Sequence, residues 1–253
     1  MEEPMKVAKR NVAVLMMFAM AAGFVVAQDK KAEKKEMSVE ESYLQESVEA
    51  LVIREQSRAD SRDMKFIALE YIGEAIAAGR GNEETLKSLD YLALEGVVNK
   101  SREGGIGRLT NNFPDVRAKA VAYMGDMGGE AAKTSLVRVV LAETEPMVLT
   151  EAVKALAKIG KNDNEEVVTA ISWIVTRFDV LNPDNSLAFA ALNAYETIAE
   201  KNGGIKDAST IRTIRRIIEG PYIKPVQNRA REVLGKLIMY GNSSRDANNK
   251  KKQ

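Results

Sequence analysis

The sequence contains no cysteine and no histidine, only six prolines and one tryptophan, and aromatic residues make up just 6% of it. Without thiols or imidazoles there is no disulfide, no Cys or His metal ligand, no cysteine nucleophile and no histidine base. Those absences set aside most hydrolase and zinc-enzyme mechanisms. Carboxylates, Lys, Tyr and hydroxyls remain, and these can hold hard cations or carry catalysis, but no paired carboxylates and no nucleophile with a base stand at informative spacing. No cofactor and no metal is implied. What the chain does have is 253 residues, 45% of them hydrophobic, which is enough for one good-sized domain with a core.

Long apolar runs are also scarce, with a single exception near the start. Lys6, Lys9 and Arg10 precede an uninterrupted apolar stretch from Val12 to Ala27, and charged Asp29, Lys30 and Lys31 follow it. Val25 and Ala27 occupy the small-residue positions that a signal peptidase favours. Glu2 and Glu3 suit such a leader poorly, so Met5 is read as the true start. The pattern predicts a secretory signal peptide over residues 1–27, cut after Ala27. An uncleaved anchor is the alternative, although a helix of this run at ~1.5 Å per residue spans only ~24 Å of a ~30 Å hydrocarbon core. No Cys follows the run, so lipoprotein attachment is excluded. The expected location is the periplasm, with secretion or inner-membrane anchoring as alternatives.

Charge is balanced in total and uneven in place. Residues 1–27 hold three of the 37 basic and two of the 36 acidic residues, leaving 34 of each sign. From Glu200 onward thirteen Lys or Arg stand against five Asp or Glu, so the last fifth is strongly basic and the body acidic. Residues 28–37 carry a mixed-charge run with almost nothing to bury, and residues 242–253 are polar and end in Lys250, Lys251 and Lys252. Both are expected to be mobile, the first as a linker and the second as a basic tail.

Between them, over residues 38–241, apolar residues recur at three and four with no sustained alternation, which predicts an all-α domain. Self-comparison sharpens this. Pro114-Asp115-Val116-Arg117-Ala118-Lys119-Ala120 through Gly128 aligns without gaps to the segment from Pro146 to Gly160, with Pro opening and Gly closing each helix. The central Ala recurs at Ala68, Ala120, Ala152, Ala191 and Ala230, followed four residues on by Ile72, Met124, Leu156, Tyr195 and Leu234. A small residue there lets a neighbouring helix approach closely. A second helix is expected before each anchor helix: Ser38 to Glu55, Glu83 to Val98, Glu130 to Glu143, Glu165 to Phe178 and Asp207 to Glu219. Ten helices make about five stacked hairpins, an α-solenoid or α-α superhelix.

The run Pro114-Asp115-Val116-Arg117, followed by Ala and closed by Gly125-x-x-Gly128, resembles the second helix of a HEAT repeat of the armadillo-like class. It is similar in particular to the short bacterial form also found in phycobilin-lyase-like proteins. The resemblance implies a curved solenoid whose inner surface binds another macromolecule, and it implies no chemistry. No residue here matches a lyase motif, so that activity is not carried over. The long connection from Asn99 to Phe113 departs from a regular array. Its Gly104-Gly105-Ile106-Gly107 lies between helices and lacks the Lys-Ser/Thr of a phosphate-binding loop, so a flexible connection is the expectation.

If the anchor helices face a ligand, their polar positions form columns. The first runs Lys65, Arg117, Leu149, Ala188, Gln227, and the second Ile67, Lys119, Glu151, Ala190, Arg229. The third runs Glu70, Ala122, Lys154, Asn193, Glu232, and the fourth Glu74, Asp126, Lys158, Thr197, Lys236. Lys65, Arg117, Lys119, Lys154, Lys158, Arg229 and Lys236 are therefore candidate partner contacts, as are Arg212 and Arg215 at the basic end. The mixed signs suit a protein partner and disfavour nucleic acid. The basic end could also meet an anionic envelope polymer or lipid, or another copy. The same charges read equally as solvated or paired, and Arg117 as a bond to an adjacent repeat. Trp173 is expected in packing, with an exposed contact as the alternative. The expected function is that of a non-enzymatic protein-binding or scaffold module. The alternative is an enzyme or small-ligand carrier built on Tyr123, Lys154 and Tyr195.

Overall fold

The computed structural model describes residues 38–250, so the expected signal peptide and linker lie outside the described residues. The chain divides into two units, one ending at Tyr43 and one beginning at Leu44, and the packed helical array belongs to the second. Ten helices are present among the described residues: α1 Val39–Ser57, α2 Arg62–Ala77, α3 Glu83–Leu94, α4 Pro114–Met127, α5 Gly129–Ala142, α6 Pro146–Ile159, α7 Glu166–Leu181, α8 Asn185–Asn202, α9 Ala208–Glu219 and α10 Lys224–Lys250. Their boundaries are written in the sequence. Asn82 and Asp184 accept the free backbone N–H groups of Thr85 and Leu187 at 3.0 and 2.7 Å, and Pro occupies the first turn of α4 and of α6, where no N–H is needed. Gly160 ends α6 in the left-handed conformation at φ 72°, and a Cβ there would also run into the Lys201 side chain.

The helices form two layers. Even-numbered helices α2, α4, α6, α8 and α10 pack side by side in the first, while α3, α5, α7 and α9 do so in the second. Helices α3, α5, α7 and α9 each pack on the even helix that follows, and α1 precedes α2 in the same chain order, giving the stacked hairpins of an all-α solenoid. The apolar stripes meet between the layers, where Leu69, Leu89, Met124, Leu136, Leu156 and Ile171 are fully buried. The five anchor alanines Ala68, Ala120, Ala152, Ala191 and Ala230 all have no solvent exposure. The helices also approach closely at Gly125 of α4, where a Cβ would stand 2.7 Å from the Ala155 Cβ of α6.

Two segments differ from the expected outline. The long connection between α3 and α4 is folded on itself, with a short 3-10 turn at Glu103–Gly105 and an Asn111 side chain that accepts from Ser101 N–H at 2.9 Å and donates to the Asn99 carbonyl at 2.8 Å. At the other end the helical backbone of α10 continues past Gly241 to Lys250, through the residues expected to form a tail.

Candidate functional site

The four columns fare differently, and the reason is helical geometry. The position three residues before each anchor Ala shares its face, so the first column points into the core. Lys65 and Arg117 are 0% and 3% exposed, and Leu149, Ala188 and Gln227 are buried beside them in the array. This corrects their reading as partner contacts. Lys65 Nζ lies 2.9 Å from the Glu95 carboxylate and donates to the Ser57 carbonyl at 3.2 Å. Arg117 Nε donates to Glu143 at 2.7 Å, and its Nη1 reaches Asn112 at 2.9 Å and the Glu95 carbonyl at 3.3 Å. Glu95 and Glu143 end the odd helix of the next hairpin in each case, so both cations tie one repeat to its successor.

The other candidates reach the surface. Lys119 is half-buried, above the Phe66 and Tyr123 rings at 5.6 and 5.8 Å. Lys154 pairs with Glu151 at 2.7 Å, and Lys158 with Asp126 of α4. Arg229 binds Asn193 at 2.9 Å and both Glu196 and Glu232, while Lys236 shares the same two carboxylates. Arg216 donates to Asp179 at 2.7 Å. Arg216, Arg229 and Lys236 are thus paired with acids of the neighbouring hairpin, whereas Arg212 and Arg215 are exposed without an ion pair among the described residues. Trp173 departs from its expected place in packing: it is 45% exposed on α7, with the Arg177 guanidinium 5.4 Å from the ring centre and Arg212 in the same shallow cleft.

The α6 and α8 members of the third and fourth columns, Lys154, Asn193, Lys158 and Thr197, line a groove of about 770 Å³ across α6, α8 and the start of α10. Ala157, Ala190 and Ala194 make its floor, and their small side chains are what make it concave. Phe189 and Ile223, 41% and 54% exposed, form apolar walls. Lys154, Lys158, Asn193 and Thr197 provide polar groups, and Lys201 is fixed there by donating to the Lys158 carbonyl at 2.7 Å, which caps α6. Among the described residues no carboxylate lines the groove. Its chemistry is that of an apolar channel edged by ammonium and amide groups.

The residues of the enzyme alternative do not meet. Tyr195 is fully buried, its hydroxyl 2.9 Å from Ser172 Oγ, and burial pushes it well above the ordinary tyrosine value. Tyr123 packs against Gly73, and Lys154 stands on the groove edge. No cluster of acidic residues suited to a metal occurs among the described residues.

The columns do not mark Phe189 or Ile223. Phe189 does carry a signal, because the position two residues before the anchor Ala lies off the core face; Ile223 precedes its helix and carries no periodic signal. Lys133 of α5 is likewise unmarked by spacing, and it is a buried ammonium ringed by Glu130, Asp163 and Glu166. Burial opposes its charge, but hydrogen bonds to the three carboxylates outweigh it and hold Lys133 above the ordinary lysine value. No protein-family model matches the sequence, and no curated protein is significantly similar to it.

Proposed function

We propose that this is an exported, non-enzymatic HEAT-like repeat protein that serves as a protein-binding or scaffold module of a bacterial envelope. The observation that carries the binding role is the groove across α6, α8 and α10, with its alanine floor, exposed Phe189 and Ile223 and, among the described residues, no lining carboxylate. Apolar surface left open beside ammonium groups fits a partner segment that offers a bulky apolar side chain next to acidic ones. Export is supported by the leader pattern before Gln28. Among the described residues no helix is long and apolar enough to cross a membrane.

Export and binding are tested in turn. The protein isolated from its native cell should begin at Gln28 by N-terminal sequencing, and recovery of residues 5–27 from membranes would make it anchored. A photo-crosslinker placed at Phe189 should then capture a defined protein that is lost when Lys154 and Lys158 are reversed to Glu, with helical content unchanged. Capture that ignores the reversal would remove the groove from the binding role.

A further inference from the structure

The two ends of the array carry matching unsatisfied faces, each readable from the contacts on the opposite flank of the same helix. On α2, Arg62 reaches Asp115 of α4 and Phe66 lies under Lys119 of α4. The flank turned away holds Met64, Ile67 and Tyr71, which are 44%, 37% and 40% exposed. These three follow the helical spacing of three and four, so they form one apolar stripe. Their counterparts in α4, in the frame of the anchor alanines, are Val116, Lys119 and Tyr123. That set is covered: Val116 is fully buried, Lys119 sits over Phe66 and Tyr123 packs on Gly73 of α2. The stripe on α2 is therefore the surface that a preceding even helix would cover, and among the described residues nothing does. Glu70 and Glu74 lie beside it, exposed and without an ion pair among the described residues.

The last hairpin shows the complementary face. On α10, Arg229 and Lys236 reach back to Glu196 of α8, which leaves Arg231, Leu234 and Ile238 on the far flank. Ile238 is 54% exposed. In α8 the equivalent positions are Leu192, Tyr195 and Ala199, all fully buried. On α9, Arg216 reaches back to Asp179 of α7, which puts Ile211, Arg215 and Ile218 on the far flank. Arg215 and Arg231 are exposed there, and neither has a carboxylate partner among the described residues.

We infer that the two ends bind each other between copies, the α9–α10 end of one molecule docking on the α1–α2 end of the next. Each end is the half of an inter-repeat interface that the other lacks. Charge selects the pairing: Glu70 and Glu74 meet Arg215 and Arg231 when ends differ, whereas two like ends would bring like charges together. The contact is heterologous, so it leaves one free end of each kind and can propagate into longer oligomers. It does not use the α6–α8 groove, so a scaffold assembled this way presents one groove per copy.

The experiment is sedimentation velocity on the protein as isolated from its native cell, over a wide concentration range. Mass should rise with concentration at low salt and fall back when salt is added, because the flanking charges are screened. An N-end variant, Ile67→Asp with Tyr71→Asp, and a C-end variant, Arg215→Glu with Ile238→Asp, should each be monomeric alone. Mixed, they should form a one-to-one dimer that grows no further, since each retains the end the other has lost. Complementation requires both variants to be folded, so it cannot arise from mere destabilisation. If either variant loses helicity, the charge-only pair Glu74→Lys and Arg231→Glu replaces it, with weakened association as the expected result. A wild-type protein that stays monomeric, a single-end variant that still dimerises, or a folded mixture without complex would each overturn the inference.

Discussion

The first three hairpins and the last two are joined by different physics in the same frame. Hairpins one to three are tied by buried cations, Lys65 to Glu95 and Arg117 to Glu143, at the position three residues before the anchor Ala. From the third hairpin on, that position holds Leu149, Ala188 and Gln227; the third hairpin is tied to the fourth by the buried Lys133 of α5 with Asp163 and Glu166 instead, and only between the last two do the charges move outward, to Glu196 with Arg229 and Lys236. The Arg117 and Glu143 side chains are 4% and 1% exposed, against 20% and 41% for Arg229 and Lys236. Repeat packing therefore depends on apolar shape, with buried charge as a local option. The two regions should answer a single lost charge very differently.

The largest effect is expected at Glu143. Replacing it with Ala leaves Arg117 buried without its carboxylate and strips Thr144 and Glu145 N–H groups of the acceptor they share. An uncompensated buried charge costs about 3–5 kcal/mol, measurable by chemical denaturation. The double replacement Arg117→Met with Glu143→Leu should recover part of that loss, because two apolar groups leave no charge to solvate, while the Thr144 and Glu145 N–H groups still lack their acceptor. If the double variant is as unstable as the single one, the pair is needed for more than its own neutrality.

A smaller loss is expected at Gly125, where two effects oppose each other. Ala in a helix interior gains ~1 kcal/mol over Gly by propensity. Here the added Cβ would stand 2.7 Å from the Ala155 Cβ and 2.8 Å from its Cα, so backbones must separate. Overpacking of that kind costs about 1–3 kcal/mol, and Gly125→Ala should lower stability on balance. Stabilisation instead would mean that the α4–α6 contact relaxes freely, and would remove close approach as the reason for the small residues in this layer.

How much of the molecule is legible in its sequence depends on whether local pattern or partner identity sets the outcome. The anchor alanines and the bounding Pro and Gly define the helices and hairpins, because caps and periodicity are local properties. The columns require one more step, from sequence spacing to helix face: Lys65 and Arg117 look like surface residues by type and are interior by position. Which carboxylate each cation meets is out of reach, since Glu95 and Glu143 lie 30 and 26 residues from their partners and carry no motif. The groove is half legible. Lys154 and Lys158 come from the columns, while Ile223 lies in a connection where no period applies.

The smallest effect belongs to Glu196, and its pH dependence separates the two regions further. The Lys236 ammonium, and with it the Arg229 guanidinium, holds the Glu196 carboxyl below its ordinary value of 4.5 against the upward push of partial burial. A carboxyl whose folded pKa is depressed adds stability that is complete above the unfolded value and is lost as pH falls through the folded one. The α8–α10 contact should therefore loosen only below about pH 4.5, seen as faster amide exchange in those helices while the protein remains helical. Glu196→Gln should cost about 1 kcal/mol or less at neutral pH, since its partners remain partly hydrated, and should flatten the acid response of α8 and α10. A loss at neutral pH as large as that of Glu143→Ala would erase the contrast between the two regions. It would mean that the outer charges hold the last hairpins together as firmly as the buried pairs hold the first.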